Sequence, residues 1–317
     1  MASANILMEE KKQYGSSSQW GINKRRNKKT DSREIGLEIG SILGKYFLKL
    51  DHLHYGYWTK DLEVDISNIR IAQENYANFL ISHIPEDVET ILDVGCGMGQ
   101  IAKKLLDMGY HVDCVSPSPF LTKHARDLLG NRSNIFECYY QQLQTDSRYD
   151  LVLFSESFQY IDIEEAIKRT VGSLNHDGYM LICDFFKKDA PWKSTISEGH
   201  SLRIFSFISG GHSLRIFYDI VSKYPLRLIK DLDITDETAP TLDIVNDALK
   251  KAVHPAVLLA QQLLDDRYPF MSKSLKWVYR KKINKINKKY FTGENKAENF
   301  KKFKSYRLLL YRKTISN

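Results

Sequence analysis

The segment from Ile91 to Gln100, ILDVGCGMGQ, constrains the fold of this chain more than any other. A short apolar run carries Asp93 near its end, three glycines follow at alternate positions, and a helical pattern begins at Gln100. Glycine lets the backbone turn tightly and approach a ligand closely, here beside the start of a helix. The spacing is not that of a dinucleotide-binding G-x-G-x-x-G, whose third glycine would fall on Gln100, and the Gly-Lys-Ser/Thr of a P-loop is absent. The segment therefore predicts a strand–loop–helix unit for a ligand of another class.

Short apolar runs alternate with helical patterns from residue 90 to residue 186, as a parallel sheet requires, because parallel strands need long crossover connections. Strands are predicted at 90–94, 111–116, 135–140, 151–155 and 179–185, and helices at 100–108, 119–129 and 163–174. Ser118 and Pro119 supply an N-cap and a first helical residue of preferred types. Five strands with right-handed crossovers predict a doubly wound α/β sheet.

The segments on either side of this region differ in character. We predict a flexible basic arm at 1–33, an N-terminal helical cover at 34–88 with helices near 35–50 and 66–84, a core at 89–186, a region of other structure at 187–300 and a final strand within 301–317. The 187–300 region contains the sequence GHSLRIF twice, at 199–205 and 211–217, and predicts helices at 213–223, 242–264 and 274–288 with a strand at 226–234. The run YRLLLY at 306–311 predicts a buried strand that returns the chain to the sheet.

The 91–100 segment resembles motif I of the class I S-adenosyl-L-methionine-dependent methyltransferases, and the resemblance covers about residues 50–186. It implies a Rossmann-like seven-strand sheet with N-terminal helices and an inserted lid within 187–300. It also implies S-adenosyl-L-methionine as cofactor and S-adenosyl-L-homocysteine as product. In such proteins the loop carries the methionine end of the cofactor, which here implies roles for Asp93, Gly95, Cys96, Gly97 and Gly99.

Three other strand ends are implied to contact the cofactor. Most relatives have Asp or Glu at the end of the second strand for the ribose, but this chain has Ser116, as Ser or Thr occurs in a subset that includes tocopherol, cyclopropane fatty acid and isoprenoid enzymes. A hydroxyl can hydrogen-bond a ribose, and the same residue also fits a purely structural cap. The resemblance further implies Tyr140 and Gln141 beside the adenine, although a plain strand end fits them equally, and Ser155 at the end of the fourth strand.

Residues 153–160 resemble the segment in which sterol, tocopherol and isoprenoid C-methyltransferases carry a glutamate facing the acceptor. Glu156 matches that position, where a carboxylate could accept a proton or stabilise positive charge. Tyr160 and His54 complete the predicted catalytic set. The structural alternatives are a surface acid for Glu156 and a packed imidazole for His54.

Aromatic residues indicate how the substrate would be held. The HYGYW segment at 54–58 resembles that of tocopherol and glycine/sarcosine enzymes, which implies that Tyr55 and Trp58 lie against the cofactor, whose sulfonium suits aromatic faces. Packing of a helix on the sheet is the alternative. The residues predicted to bind substrate are Phe158, Phe186, His212 and Arg215. They indicate an apolar acceptor, with an anionic head group that Arg can grip, while core faces of short helices would explain the same pattern.

Charge is distributed unevenly along the chain. Residues 1–36 hold 8 basic and 4 acidic residues and residues 275–317 hold 14 and 2, whereas the whole chain has a net charge of +7, so its middle is acidic. This pattern disfavours a nucleic-acid partner, whose binding face should itself be positive, and indicates peripheral contact of the basic C-terminal region with an anionic membrane. The four cysteines form no CxxC pair, which predicts free thiols. With neither a membrane-spanning apolar stretch nor a signal-peptide core, the chain is predicted to be cytoplasmic.

Together these features predict a methyltransferase acting on a small hydrophobic acceptor of isoprenoid, lipid or aromatic character. No metal site is predicted, and Mg²⁺ would be expected only with a diphosphate acceptor. Two alternatives stay open: an RNA methyltransferase that uses the basic ends, and a non-catalytic S-adenosyl-L-methionine-binding partner protein.

Overall fold

The fold is built on a seven-stranded mixed sheet in a computed structural model that describes residues 32–189, 210–290 and 296–314. The strands are β1 (Thr90–Val94), β2 (His111–Val115), β3 (Ile135–Phe136), β4 (Tyr149–Ser155), β5 (Leu174–Lys187), β6 (Leu226–Asp233) and β7 (Lys304–Lys313). The helices are α1 (Ser32–Leu48), α2 (Ile69–Ile81), α3 (Gln100–Asp107), α4 (Pro119–Leu129), α5 (Ile163–Ser173), α6 (Leu214–Val221), α7 (Thr235–Thr238), α8 (Pro240–Ala248), α9 (His254–Arg267), α10 (Pro269–Tyr290) and α11 (Ala297–Phe303). The chain divides into two compact units, Met1–Leu37 and Glu38–Asn317, and the sheet lies in the second.

The strand order is β3-β2-β1-β4-β5-β7-β6. β1 pairs in parallel with β2 on one side and β4 on the other, β4 pairs in parallel with β5, and β7 runs antiparallel to both β5 and β6. The direction of winding therefore reverses between β1 and β4, where open α/β sheets form a crevice. The predicted doubly wound seven-strand sheet is confirmed, including the return of the C-terminal run to the sheet.

Alternate residues of the central strands fill two apolar layers, one on each face, because successive side chains of a strand point to opposite sides. On one face Ile91 and Leu151 belong to the layer that contains Tyr76 of α2. On the other face Leu92 and Val152 belong to the layer that contains residues of α5 and α6. Both faces are covered, as expected of parallel strands with helical crossovers.

Local signals account for several helix starts. Ser118 accepts a hydrogen bond from the N–H of Leu121 at 3.3 Å, with Pro119 in the first turn of α4, so the predicted cap is confirmed. In the second GHSLRIF copy, Ser213 caps α6 by accepting from the N–H of Ile216 at 3.3 Å. The first copy, at 199–205, lies outside the described residues.

The third strand is shorter than predicted. β3 ends at Phe136 rather than at residue 140, and Tyr140–Gln142 form a 3₁₀ turn. The N–H of Ser116 donates to the carbonyl of Phe136 at 3.0 Å, which is the last rung, because the neighbouring strand then turns at Pro117. Without a partner strand the extended backbone beyond Phe136 would leave its polar groups unpaired.

The helix predicted at 242–264 is wrong as a single element. The structure has α8, a π-helical turn at Leu249–Val253 and α9. Pro255 lies in the first turn of α9, where it has no N–H to give to the preceding turn, so the regular ladder is interrupted. Among the helices that the structure describes, none combines the length and apolar character needed to cross a membrane.

Candidate functional site

The candidate site lies at the carboxyl edge of the sheet, where β1, β2 and β4 end side by side. Gly95 follows β1 directly, and its N–H donates to the carbonyl of Val115 at the end of β2 at 2.7 Å. Ser116 and Glu156 follow β2 and β4 in the same way. The reversal of winding places the three strand ends around one crevice.

The loop at residues 95–99, which follows β1 and is called the glycine loop here, carries Gly95 and Gly97 for two different reasons. Gly95, Gly97 and Gly99 all have positive φ, of 79°, 58° and 86°. A Cβ on Gly95 would lie 2.4 Å from the Cβ of Ser157, so packing alone requires glycine there. A Cβ on Gly97 would meet no atom within 4 Å, so the loop is open to a ligand at this residue. This openness fits the predicted role of the loop.

Asp93 lies behind the loop and is 2% exposed. Burial raises the pKa of its carboxyl to about 7, and its Oδ2 atom has no hydrogen-bond partner among the described residues. An unsatisfied buried acceptor costs about 1–3 kcal/mol, so a donor brought by a ligand or a water would be favourable here. Cys96, the next predicted contact, is a buried thiol whose pKa is raised by its hydrogen bond with Cys114 and by burial.

Ser116 lies at the end of β2, as predicted, and is 3% exposed. Its Oγ accepts from the N–H of Ser118 at 3.4 Å, which is a local turn before α4. The hydroxyl therefore has a structural role already, and a ribose contact stays a prediction.

The predicted adenine contacts do not lie together at the crevice. Tyr140 is buried in the apolar layer on the other side, with its hydroxyl 3.0 Å from that of Thr170, whereas Gln141 is exposed. The early end of β3 is the reason, because the following turn directs Tyr140 into the core. Core packing therefore accounts for Tyr140.

Glu156 is held in place by two donors from distant parts of the chain. Its Oε1 accepts from the N–H of Tyr55 at 2.7 Å and from the hydroxyl of Tyr306 at 2.6 Å. Its own N–H donates to the carbonyl of Cys183 on β5 at 2.9 Å, and its φ of 54° turns the chain sharply after β4. Burial raises the pKa of the carboxyl to about 7, although both hydrogen bonds lower it. Glu156 is thus a fixed and half-buried carboxylate at the crevice edge.

The hydroxyl of Tyr306 also lies 3.1 Å from that of Tyr76 on α2. Tyr76 in turn lies 3.2 Å from the Oγ of Ser155, which was predicted as a cofactor contact. Ser155, Tyr76, Tyr306 and Glu156 therefore form one hydrogen-bonded chain, and burial raises the pKa of both tyrosines well above the usual value. These hydroxyls stay protonated and can only donate or relay hydrogen bonds.

Asp184, at the corresponding level of β5, is a second buried carboxyl. Burial raises its pKa to about 8, and it accepts from the N–H of Gln159 at 3.0 Å and of Phe185 at 2.8 Å. The negative charge of an ionised Glu156 also raises the pKa of Asp184. It therefore favours the protonated form of Asp184.

The two other predicted catalytic residues are placed differently. Nδ1 of His54 lies 2.7 Å from the carbonyl of Tyr55, Nε2 is buried without a partner, and burial lowers the pKa of the ring to about 3. His54 is therefore a neutral imidazole packed between His52 and Tyr76, at ring-centroid distances of 4.5 and 4.3 Å, and not a proton donor near neutral pH. Tyr160 is 80% exposed, and its catalytic role stays a prediction.

Of the two HYGYW residues predicted to lie against the cofactor, Tyr55 lies beside Glu156 and Trp58 does not. Its half-buried ring is 5.8 Å from that of Tyr306 and 6.4 Å from that of Phe185. Trp58 is 4% exposed and its indole N–H donates to the hydroxyl of Thr241 at 2.9 Å. The structure places Trp58 in a core cluster with residues of α2 and α8, which is the packing alternative.

Of the four predicted substrate residues, two are buried in the core and the other two have partners outside the Glu156 network. Phe158 and Phe186 are fully buried and their rings contact Phe217. His212 has its Nε2 2.8 Å from the carbonyl of Ile161, and Arg215 is exposed beside Asp189, at 3.4 Å. Core packing accounts for the two phenylalanines, so the alternative to a substrate role fits them. Residues 190–209, which belong to the predicted lid region at 187–300, lie outside the described residues.

Comparison with known proteins identifies the central part of the chain. Residues 92–182 match the family described as "Methyltransferase domain", over the strands and loops that build the crevice. This segment is a methyltransferase domain. The predicted family is confirmed over a segment that contains the glycine loop and Glu156.

Two curated relatives match the methyltransferase domain and its surroundings. The malonyl-(acyl-carrier protein) O-methyltransferase of Acetivibrio thermocellus is 32% identical over 122 residues, which is 36% of this chain and 43% of the relative. The ubiquinone biosynthesis O-methyltransferase of Rickettsia felis is 28% identical over 152 residues, 45% of this chain and 62% of the relative. The chain thus spans about half the length of the curated relatives it matches.

Solved structures share the fold across most of the chain. A cyclopropane synthase from Mycobacterium tuberculosis superposes with a TM-score of 0.63 at 14% identity, covering 90% of this chain and 100% of that one. A geranyl diphosphate C-methyltransferase from Streptomyces coelicolor A3(2), in complex with Mg²⁺, geranyl-S-thiolodiphosphate and S-adenosyl-L-homocysteine, does so with a TM-score of 0.56 at 18% identity, covering 88% and 92%. The class I methyltransferase fold is therefore confirmed.

Three residues around the methyltransferase domain's crevice were missed from the sequence. Tyr306 and Tyr76 lie 150 and 80 residues from Glu156, and nothing local marks either as more than a core tyrosine. Asp184 carried a usable signal, because an acid within the apolar run of β5 must be buried and hydrogen-bonded.

Thr241 fastens the HYGYW segment to the methyltransferase fold. Its hydroxyl accepts from the N–H of Gly56 at 3.0 Å and from the indole of Trp58 at 2.9 Å. Thr241→Val leaves both buried donors without an acceptor and is expected to lower the free energy of unfolding by about 1–3 kcal/mol. Urea denaturation measures this, with Thr241→Ser as the control that keeps the hydroxyl. Equal stabilities of the Val and Ser variants would show that the hydrogen bonds contribute nothing.

Proposed function

We propose that this chain is an S-adenosyl-L-methionine-dependent methyltransferase whose acceptor is a small hydrophobic molecule of isoprenoid, lipid or aromatic character. The observation that carries the proposal is the carboxylate of Glu156, fixed by Tyr55 and Tyr306 at the edge of the crevice that the glycine loop opens. A cofactor pocket and a positioned proton acceptor are the two parts that methyl transfer to a protonated nucleophile needs.

The residues present fit S-adenosyl-L-methionine. Gly97 leaves open space against bare backbone, Asp93 offers an unpartnered carboxylate oxygen, and Ser116 places a hydroxyl at the end of β2. When bound, this cofactor supplies a methyl group on a sulfonium centre and becomes S-adenosyl-L-homocysteine once the methyl has been transferred. The chain's contribution is to hold the sulfonium end beside Gly97 and to align the acceptor with it, which is where most of the acceleration of such a displacement arises.

Glu156 is suited to accept the proton that the acceptor loses. Both donors contact Oε1, and no hydrogen bond to Oε2 occurs among the described residues, which leaves that oxygen for the acceptor. A pKa of about 7 is near the optimum for a general base at neutral pH. With S-adenosyl-L-methionine bound as the methyl donor, Oε2 would take the proton that the acceptor loses when it is methylated.

The surroundings of Glu156 favour an apolar acceptor. The rings of Tyr55, Phe185 and Tyr306 pack within 6.5 Å of one another next to the carboxylate, and those of Tyr55 and Phe185 are half-buried. The similar proteins support the same class, since they include a ubiquinone biosynthesis O-methyltransferase and a geranyl diphosphate C-methyltransferase. Among residues 32–189, 210–290 and 296–314 no three His, Cys, Asp or Glu are grouped to hold a metal ion, so the proposal assigns no metal ligand to this chain.

The proposal is tested in two steps with the full chain. Calorimetry with S-adenosyl-L-homocysteine should show binding at one site. Release of S-adenosyl-L-homocysteine is then measured with prenyl diphosphates, quinols and phenols, fatty acids and amines, and with RNA for comparison. Turnover on an apolar small molecule supports the proposal. Turnover on RNA alone, or binding with no turnover on any acceptor, would refute it.

Turnover is expected to fall as the pH drops through about 7, because Glu156 must be ionised to accept a proton. The groups around it are the donors Tyr55 and Tyr306, the hydroxyl of Tyr76, the thiol of Cys183 and the carboxyl of Asp184. Tyr306→Phe removes a donor that stabilises the ionised form, so the pKa of Glu156 should rise.

The acidic limb of the Tyr306→Phe profile should therefore move to higher pH. A pH–rate profile from pH 5 to 9 gives the midpoint for each protein. Tyr311→Phe, on the same strand, is the matched control, because its ring lies in the layer on the opposite face. A lower rate with an unshifted midpoint would mean that Tyr306 supports the fold and not the carboxylate.

A further inference from the structure

The helical hairpin formed by α9 and α10, residues 254–290, carries an unusual exposed surface. Large apolar residues are exposed on both helices, from the middle of α9, across the turn at the tip where α10 begins, to the first half of α10. Those at least 50% exposed in the hairpin are Leu258, Leu259, Leu263, Tyr268, Phe270, Met271, Trp277 and Val278, with Phe270 at 86% and Trp277 at 79%. The main packing of the two helices is with each other and with the preceding π-helical turn, so no other described element covers this surface.

The apolar residues of α10 share one face. Phe270 and Trp277 are seven residues apart, as are Met271 and Val278, which places each pair two helical turns apart on the same side. Lys281 stands eleven residues after Phe270, three helical turns further along that side. The face is thus apolar toward the tip and basic beyond it.

The charge of α10 has a single sign. Its 22 residues include eight Lys and Arg and no acid. Asp265 of α9 pairs with Lys276 at 2.5 Å and accepts from Ser272, which fixes the turn but neutralises only one of the basic residues. Arg280, Lys281 and Lys282 are exposed. This charge would be complementary to an anionic partner.

We propose that the hairpin tip docks on an anionic lipid surface. Exposed Leu, Phe and Trp side chains enter the interfacial region of a bilayer favourably, and lysines just beyond them attract acidic head groups. A second copy of the chain fits poorly, since two helices of this charge would repel each other. RNA fits less well than lipid, because the exposed leucines of α9 have no ring on which a base could stack.

The test is sedimentation of the full chain with vesicles. Vesicles of phosphatidylcholine with about one-third phosphatidylglycerol should bind the protein, binding should weaken with added salt, and pure phosphatidylcholine vesicles should bind at least tenfold less. Phe270→Ser/Trp277→Ser and Lys281→Glu/Lys282→Glu should each reduce the partition coefficient at least tenfold.

Matched controls change exposed residues of the same kinds elsewhere. Ile71→Ser/Met108→Ser removes two apolar residues that are 50% and 57% exposed, and Lys168→Glu/Lys223→Glu makes the same change in net charge. Both should bind vesicles like the original protein. Thermal melts followed by circular dichroism check that each variant is folded. No activity assay is needed, so this test is independent of the proposed function.

Three results would overturn the proposal. One is equal binding to neutral and anionic vesicles or none to either. Another is a dimer in light scattering that Phe270→Ser/Trp277→Ser dissociates, without vesicle binding. The third is salt-sensitive binding of RNA that Lys281→Glu/Lys282→Glu abolishes, again without vesicle binding.

Discussion

Glu156→Gln is expected to lower turnover by about 10²–10⁴-fold while leaving the affinity for S-adenosyl-L-homocysteine unchanged, because general-base catalysis contributes a factor of that size. The amide oxygen of glutamine can still accept from the N–H of Tyr55 and the hydroxyl of Tyr306, so the local structure should be retained. Only the capacity to take a proton is lost.

Turnover is measured with the acceptor that the test of the proposed function identifies. The affinity for S-adenosyl-L-homocysteine is measured by calorimetry. Glu165→Gln, an exposed acid on α5, makes the same chemical change outside the crevice and should have no effect. Full turnover by Glu156→Gln would remove the carboxylate from the mechanism. A loss of cofactor affinity would instead place Glu156 in the cofactor site.

Gly95→Ala is expected mainly to lower the stability of the fold, and Gly97→Ala mainly to lower the affinity for the cofactor. A Cβ at residue 95 meets the Cβ of Ser157 at 2.4 Å in a left-handed conformation, and the two penalties together should destabilise the fold by about 2–5 kcal/mol. A Cβ at residue 97 meets nothing, so only the backbone strain of about 1–2 kcal/mol applies. That methyl group would project into the space assigned to the cofactor.

Urea denaturation and calorimetry with S-adenosyl-L-homocysteine separate the two effects. Gly97→Ala should keep most of its stability and lose at least tenfold in affinity. Ser157→Gly removes the atom that Gly95→Ala would meet, so the double variant should be less destabilised than the sum of the single changes. Additive effects would contradict the steric explanation, and unchanged affinity of Gly97→Ala would contradict a cofactor at this loop.

The strands and helices of the methyltransferase domain follow from local patterns. Apolar runs and the Ser118–Pro119 start signal are read within a few residues, and α4 begins and ends where they predict. Long-range effects were missed where a neighbour decides the outcome. β3 ends early because β2 turns at Pro117, and the 242–264 helix breaks because Pro255 removes a donor.

In the candidate site, too, local patterns predict some residues and long-range contacts decide others. Glu156 and the glycine loop lie in continuous segments, so their placement at the crevice follows from the sequence. Tyr306, which holds Glu156, becomes its neighbour only through the pairing of β7 with β5, and no pattern near either residue specifies that contact. Trp58 and Phe186 were assigned to ligands because an aromatic residue in sequence looks the same whether it faces a crevice or a core.

The insertion of β7 between β5 and β6 has a consequence for how the protein matures on the ribosome. Everything from the glycine loop to Glu156 is synthesised at least 150 residues before Tyr306. Until β7 emerges, β5 and β6 cannot be bridged, and β5 presents an open edge of buried-type residues that invites wrong pairing. A nascent chain therefore contains the glycine loop and Glu156 early, and Tyr306, which donates to that carboxyl group, only when β7 is made.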